Sequence, residues 1–596
     1  MGRKTLLIKI LSAVFFAIIV GTISLLYWHG KSLDELTVSV PYGSPALWER
    51  ILDESGEINV PKSTRAVILP HHLITATELT KVYRGIAKQF QPKLIVLVGP
   101  NHFEEGEANI QTCNCTYSTI KGELKTNTRM LKKTIKSDSI AINNEPFGKE
   151  HSIYGHAPFI KNFFPKAEII PFIVKWKSSD KEVDQLATLI KSFDNKDDIL
   201  LIASVDFSHY IPHLAADFHD ESSIVAIQNF TQNAIKSIEV DSPASLRLIT
   251  RFVEQQNLMK ATLLRHTNSQ DFFREQKLEQ TTSHLFIAFS EGQKEKLSQI
   301  SMHFFGDAMF DREISKLIET EDILVTLAGE EGRFFQGNDY NILNLEGVLS
   351  NHNKAQKKEV TFRFNPEQVL PLLQKYGFNV INTANNHIMD YFLTGTEDTR
   401  NFLSKANMLS FGDYEVGPKS CTTIEKNDLK IALCGFNDVG NVLQVETALE
   451  IIANAKKKHN FVFINVHWGE EYNTSPTKRQ QELAHQFIDA GTDLIIGHHP
   501  HVIQPMEIYK EKPIFYSLGN FIFDQIEPKE VKTGLSVGII ATREKMTLYV
   551  LPLYTNDGKP SLPNTKETME FYEHFLKEQE DYQSNIRGKL VINVSK

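Results

Sequence analysis

Four cysteines in 596 residues are too few for a disulfide framework to hold together a chain of this size. Cys113 and Cys115 lie two apart in QTCNCTY and would point the same way on a strand. No second pair stands at metal-ligand spacing, so both read as structural. Lysine and arginine never gather into a long basic stripe, and the net charge is −9, which excludes the electrostatic footprint of a nucleic-acid binder. Long uncharged apolar runs are scarce as well, and a single one stands out. The remaining composition is that of a globular protein, 41% apolar and 23% charged. Its length allows about three or four domains.

The one long apolar run extends from Ile10 to Trp28, 19 residues without a charge. Arg3, Lys4 and Lys9 precede it, and Tyr27 and Trp28 close it as interface anchors. A run of this length crosses a bilayer as a helix. It is long for the apolar core of a signal peptide, and no small-residue cleavage site precedes His29, so an uncleaved signal anchor is expected. The expectation is a single-pass membrane protein, cell-membrane located, with the bulk of the chain extracytoplasmic.

Beyond the anchor and linker of residues 1–35, two α/β regions follow, 36–295 and 298–555, and then a polar tail, 556–596. In an open α/β sheet, ligands gather beyond the carboxyl ends of the strands. The first region repeatedly places polar residues there. TRAVILP ends in His71 and His72, PKLIVLVGPNH in His102, and DILLIASVDFSHY in Asp206, Ser208 and His209. EHSIYGHAPFI adds Glu150, His151 and His156, and helical patterns lie near Ala76–Gln89 and Asp180–Phe193.

PHHL, GPNH, EHSIYGHAPF and SVDFSHY, in that order, resemble the ordered motifs of the Memo family, the B protein of the AmmeMemoRadiSam system. The resemblance implies a fold like that of the class III extradiol dioxygenases and a metal facing His71 and His102. The family's third site residue is often a cysteine in a later C-G segment, which this chain does not preserve. EVDSPAS falls near that place, so Asp241 is the candidate third ligand.

The second region repeats the geometry with other residues. SQISMHFFGDAMFDR delivers Asp307 and Arg312, and NILNLEGVLS delivers Asn344 and Glu346. GFNVINTANNHIMDY delivers Asn385, Asn386, His387 and Asp390, and KIALCGF leads to Asn437. FVFINV then ends in His467, and DLIIG in His498, His499 and His501. Carboxylates, an Asn–His pair and several histidines from different strand ends are the inventory of a two-metal phosphoesterase. Such a centre needs a bridging carboxylate and neutral N or O ligands, and makes a hydroxide near neutral pH.

GDAMFDR, NLEGVL, NTANNHIMDY, VHWGEEY, GTDLIIGHHPHVIQP and YSLGNFIFD resemble the ordered segments of the CapA family. These are the poly-γ-glutamate capsule synthesis proteins of the calcineurin-like metallophosphoesterase superfamily. The resemblance implies an α/β sandwich and a divalent metal of the Mn, Fe or Zn class. It carries Asp307, Glu346, Asn386, His467, His499 and His501 over as metal ligands, with His498 the adjacent alternative to His499. It assigns Asn386, His387 and His467 to catalysis. Two departures stand out: Asp307-Ala308-Met309 replaces the superfamily's D-x-H, and Glu346 replaces its bridging aspartate.

The expected function is synthesis or anchoring of an extracellular polymer of the poly-γ-glutamate kind, with a phosphoesterase-type site. Its partners would be an anionic polymer or phosphate-containing substrate and the subunits of a synthase complex. The alternatives are a non-catalytic scaffold of that complex and a metal or redox protein led by the Memo-like region.

Overall fold

The computed structural model describes residues 35–593 except 41–42, 135–136, 138, 194–198, 274–277, 330–331, 441 and 585. The chain divides into two compact units that exchange segments along the sequence. One runs to Val205 and takes in Ala244–Met259 and Phe286–Glu291; the other holds Asp206–Pro243, Lys260–Leu285 and everything from Gly292.

In the first unit four parallel strands lie side by side in the order Ala66–Leu69, Ile199–Ser204, Leu94–Pro100, Glu168–Val174. Ala66–Leu69, Ile199–Ser204 and Leu94–Pro100 are buried at every position, which is why they read as continuous apolar runs rather than alternating ones. The helix Ala76–Gln89 is amphipathic and buries Leu79, Val82, Tyr83 and Ile86. The helix Asp180–Lys191 begins at a capping box formed by Ser179 and Glu182. Because Leu69 pairs with Ser204, the chain leaves both strands at the same end of the sheet. His71 follows one strand end and His102 another.

The second unit contains two packed sheets. One runs Leu409–Phe411, Phe378–Asn382, Tyr340–Leu345, Ile300–Ala308, Thr533–Ala541, Lys545–Asn556, Lys559–Ser561. The other runs Cys421–Lys426, Leu429–Asn437, Phe461–His467, Leu494–His498, Lys512–Leu518, Ile503–Tyr509. Phe461 and Phe463 face the first sheet's Phe304, Ile342 and Val380 in one core, whereas Val462, Ile464 and Val466 pack on Leu483, Ala484 and Phe487 of the helix Lys478–Ala490. This alternation follows the two-residue period of a strand. With both faces covered, no polar position breaks the run FVFINV except Asn465. The residues after 556 continue the first of these sheets: Lys589–Asn593 pairs antiparallel with Lys545–Tyr549, and the Tyr572 hydroxyl donates to Val550 O at 2.7 Å.

All four cysteines are paired, Cys113 with Cys115 and Cys421 with Cys434. The second bond joins directly opposed residues of two antiparallel strands. This pairing was not legible from sequence spacing.

The expected N-terminal transmembrane helix, and with it the single-pass membrane address, is corrected. Among the described residues no helix is long and apolar enough to cross a membrane. The longest, His213–Gln228, has 16 residues and carries Asp217, Asp220 and Glu221, whereas a span needs about 20 mostly apolar residues. The run Ile10–Trp28 lies outside the described residues.

Candidate metal centre

In the second unit, Asp307 comes from the end of Ile300–Ala308 and Glu346 from the residue after Tyr340–Leu345. His467 ends its strand, and His498 ends the neighbouring one, in register with it. On its other side the His498 strand closes on Lys512–Leu518 through Gly497, where a Cβ would stand 1.9 Å from Tyr516 O. After His498 the loop turns sharply, with His499 at φ 98° and His501 at φ 59°. A non-glycine residue holds such a backbone only where its surroundings impose it. Here the imposing contact is the His499 N–H, which donates to Asp307 Oδ2 at 3.0 Å.

Asp307 is fully buried and well supplied with donors. It accepts from Asn344 Nδ2 at 2.7 Å and lies 3.1 Å from His498 Nδ1. Burial opposes its charge, but the His498 hydrogen bond holds its carboxyl below the usual range. His498 is engaged on both ring nitrogens, since Nε2 lies 3.3 Å from Asn465 Oδ1. It therefore positions Asp307. The neighbouring His499 has no hydrogen-bond partner on Nδ1 among the described residues.

Glu346 is the reverse case. It is 0% exposed, yet neither carboxylate oxygen has a hydrogen-bond partner among the described residues. Nε2 of His467 and Nε2 of His501 each stand 3.7 Å from its Oε1, too far for a hydrogen bond. Burial, together with the charges of Asp307, Glu471 and Asp390, pushes its carboxyl well above the usual range. A bare carboxylate in such a place is costly, and a cation between it and the histidines relieves that cost. Two donor sets meet at this residue: Asp307, Glu346 and His501, and Glu346, His467 and His499. In each set the ligand atoms lie within 4.8 Å of one another. Carboxylates with neutral imidazoles suit a divalent ion of the Mn, Fe or Zn class. Burial and neighbouring histidines lower His467 well below its usual value, and burial takes His499 down to about 3, so both imidazoles stay neutral.

The supporting hydrogen bonds set the tautomers. Asn520 donates through Nδ2 to Gln525 Oε1 and Val531 O, so its Oδ1 accepts from Nδ1 of His501 at 2.9 Å, leaving the Nε2 lone pair toward Glu346. Asn386 Oδ1 lies 3.0 Å from His467 Nε2. Asn385 is consumed by backbone partners, Leu345 O and the N–H of His387. Asp390 accepts from Nδ1 of His387 at 2.7 Å, from Lys358 Nζ at 2.6 Å and from the N–H of Phe362 at 2.8 Å. Arg312 is paired with Asp524, and its guanidinium lies 5.0 Å from the Phe362 ring. Asn437 turns inward to its own loop, accepting from the N–H of Val439.

In the first unit, His71, His102 and His151 bring ligand atoms within 4.8 Å of one another. Here too the tautomers follow from donor counting. The Ser204 hydroxyl has one hydrogen, which it donates to Ser152 O at 2.7 Å. His71 Nδ1 and His156 Nε2, each 3.1 Å from Ser204 Oγ, must then donate to it. The His71 lone pair is thereby on Nε2. His156 in turn accepts through Nδ1 from the Tyr83 hydroxyl at 2.9 Å, and burial pushes its imidazole down to about 3. Glu150, buried, accepts from Nδ1 of His102 at 2.7 Å and from its backbone N–H at 3.0 Å, which places the His102 lone pair on Nε2. Asp241 belongs to the other unit, where its carboxylate accepts the N–H of Asp206 at 3.1 Å. His209 lies in that unit as well; its N–H donates to Glu239 at 2.7 Å.

The chain matches the family described as bacterial capsule synthesis protein PGA_cap over residues 301–525 and the Memo-like protein family over 45–277. The PGA biosynthesis protein CapA of Bacillus subtilis is 36% identical over 244 residues, 38% of this chain and 64% of that protein. The capsule biosynthesis protein CapA of Bacillus anthracis is 31% identical over 287 residues, 44% of this chain and 69% of that protein. The chain belongs to the CapA family. Ahead of its CapA-like region it carries a Memo-like one: a MEMO1 family protein of Caldivirga maquilingensis is 27% identical over 238 residues, 37% of this chain and 84% of that protein. The chain thus spans about two thirds of the length of the CapA relatives.

The donor atoms of Asp307, Glu346 and His501 lie together, as do those of Glu346, His467 and His499, with Asn386 on His467. Of two further residues near the histidines, Glu471 was missed, and His151 was noted but not carried over as a ligand. Glu471 sits with His499 and His501, and His151 with His71 and His102. Both were in view inside VHWGEEY and EHSIYGH, but nothing local to either segment marks which residue turns toward the site.

Proposed function

We propose that the second unit of this CapA-family chain is a divalent-metal-dependent hydrolase or transferase acting on an anionic polymer of the poly-γ-glutamate kind, or on a phosphate ester used in making it. The observation that carries the reading is Glu346, a fully buried carboxylate with two oxygens unpartnered among the described residues, set among histidines held neutral by burial. Asp307, Glu346, Asn386, His467, His499 and His501 would hold the metal. When bound, a divalent ion supplies Lewis acidity and a hydroxide at neutral pH.

The chain's own residues do the rest. His498 and Asn344 hold Asp307 still, and Asn520 holds His501. Asp390 fixes His387 with the proton on Nδ1, so Nε2 is the nitrogen that exchanges a proton with the attacking or leaving oxygen. Lys358, bonded to Asp390 and to Asn386 O, ties the two neighbouring site residues together.

The relatives are named for biosynthesis, which favours a second reading, a non-catalytic accessory of a synthase complex. Full-length chain and His467→Ala, both loaded with manganese, separate the two readings. The substrates are a nitrophenyl phosphodiester, a nitrophenyl phosphomonoester and a γ-glutamyl anilide. Turnover of any one that is lost in the variant supports the hydrolase. Equal rates in both proteins, or none with metal bound, overturn it.

A further inference from the structure

The donor set around His501 is short of a ligand. Asp307, Glu346 and His501 are three groups, and a tetrahedral or larger shell needs at least a fourth. Met309, two residues beyond Asp307, cannot serve: it is 0% exposed, and its Sδ lies 3.0 Å from the Asp311 nitrogen, whose N–H it accepts. The missing group must come from elsewhere in the fold.

The turn after His467 is built to bring one. Trp468 donates its N–H to His498 O at 3.1 Å and its indole N–H to Tyr516 O at 2.9 Å, pinning the turn against the histidine strand. Gly469, at φ 84°, reverses the chain where a Cβ would stand 2.6 Å from the Gln480 side chain. Tyr472, at φ 64°, then donates its N–H to Pro500 O at 2.8 Å, between the two loop histidines. Glu471 is thereby carried over the loop, and its carboxylate comes within 4.8 Å of the ligand atoms of His499 and His501. It is exposed while its companions are buried, so it approaches from the solvent side, the side an incomplete shell leaves open. We infer that Glu471 is a metal ligand, joining His501 from the solvent side beside His499.

This inference rests on the metal-centre reading above and deepens it. The test compares full-length chain, Glu471→Gln and His501→Ala after equilibration with excess manganese and removal of the free ion. Bound manganese is counted by elemental analysis, and manganese spin resonance records whether the ions are coupled. Any ion held by the first unit cancels in the differences. Loss of a ligand weakens binding by at least the roughly tenfold that loss of an outer-shell partner costs. The expected result is one equivalent fewer in Glu471→Gln, with the spin-coupled signal lost. Unchanged count and spectrum in Glu471→Gln, with metal lost in His501→Ala, overturns the ligand role and leaves the hydrolase reading standing. No difference between the unaltered chain and His501→Ala overturns both.

Discussion

His498 and Asp307, 191 positions apart in sequence, meet at 3.1 Å between Nδ1 and Oδ1, and the same imidazole reaches Asn465 through Nε2. With both nitrogens occupied, His498 holds Asp307 in place, while its neighbour His499 keeps Nδ1 unpartnered among the described residues. The two adjacent histidines should therefore fail differently. His498→Asn is expected to weaken manganese binding about 10- to 100-fold, the usual cost of losing an orienting partner. His499→Ala removes a ligand and should weaken it further. Calorimetric titration of the two variants checks the order; equal losses would remove the distinction.

Glu346 should oppose folding when no metal is present. Its carboxyl is buried without a hydrogen bond among the described residues, which costs about 1–3 kcal/mol. Glu346→Leu is expected to raise the melting temperature in chelator and to abolish the stabilisation by manganese. In the unaltered chain that stabilisation is about 2.7 kcal/mol at a hundred times Kd. Melting curves with chelator and with metal test both halves.

Ser204 sets the His71 tautomer by spending its one hydrogen on Ser152 O. For a metal held by His71 and His102, Ser204→Ala is expected to cost about 10- to 100-fold in affinity. Glu150→Gln should do the same through His102. Metal titrations in a Glu346→Leu background isolate the first unit, since Glu346 belongs to both donor sets of the second. Unchanged affinity in both variants would show that these hydrogen bonds do not orient the ligands.

Stability should fall on acidification. Burial holds His156 down at about 3, and lowers His219 and, well below its usual value, His303. Each stays neutral inside the fold, while the unfolded chain takes up a proton below about 6.5. The unfolded state then binds more protons, so these groups' contribution is complete above that pH and is lost as the pH falls toward about 3. His266 has the opposite sign: burial is outweighed by its bond to Asp220, raising it to about 8. Its contribution is complete below about 6.5 and is lost as the pH rises through about 8. Urea midpoints are expected to be highest between these limits. His156→Gln should flatten the acid limb, and an unchanged limb would show that His156 does not carry it.

The sequence by itself determined which polar residues stand at the strand ends. Short apolar β-branched runs such as Phe461–Val466 read as strands covered on both faces, and the first polar residues after them stand at the strands' carboxyl ends. That is why Asp307, Glu346, His467, His499 and His501 were legible without coordinates, as was the helix Ala76–Gln89 from its period. Tertiary structure alone decided what each nitrogen and oxygen does. Whether a histidine is a ligand or a positioner depends on its partners. Those of His498, His71 and His501 stand 191, 133 and 19 positions away. Glu471 escaped notice for the same reason: a turn pinned to the distant Pro500 carbonyl, not local pattern, aims its side chain. The expected membrane helix marks the limit from the other side, since hydropathy reads one segment at a time and no described helix carries such a run.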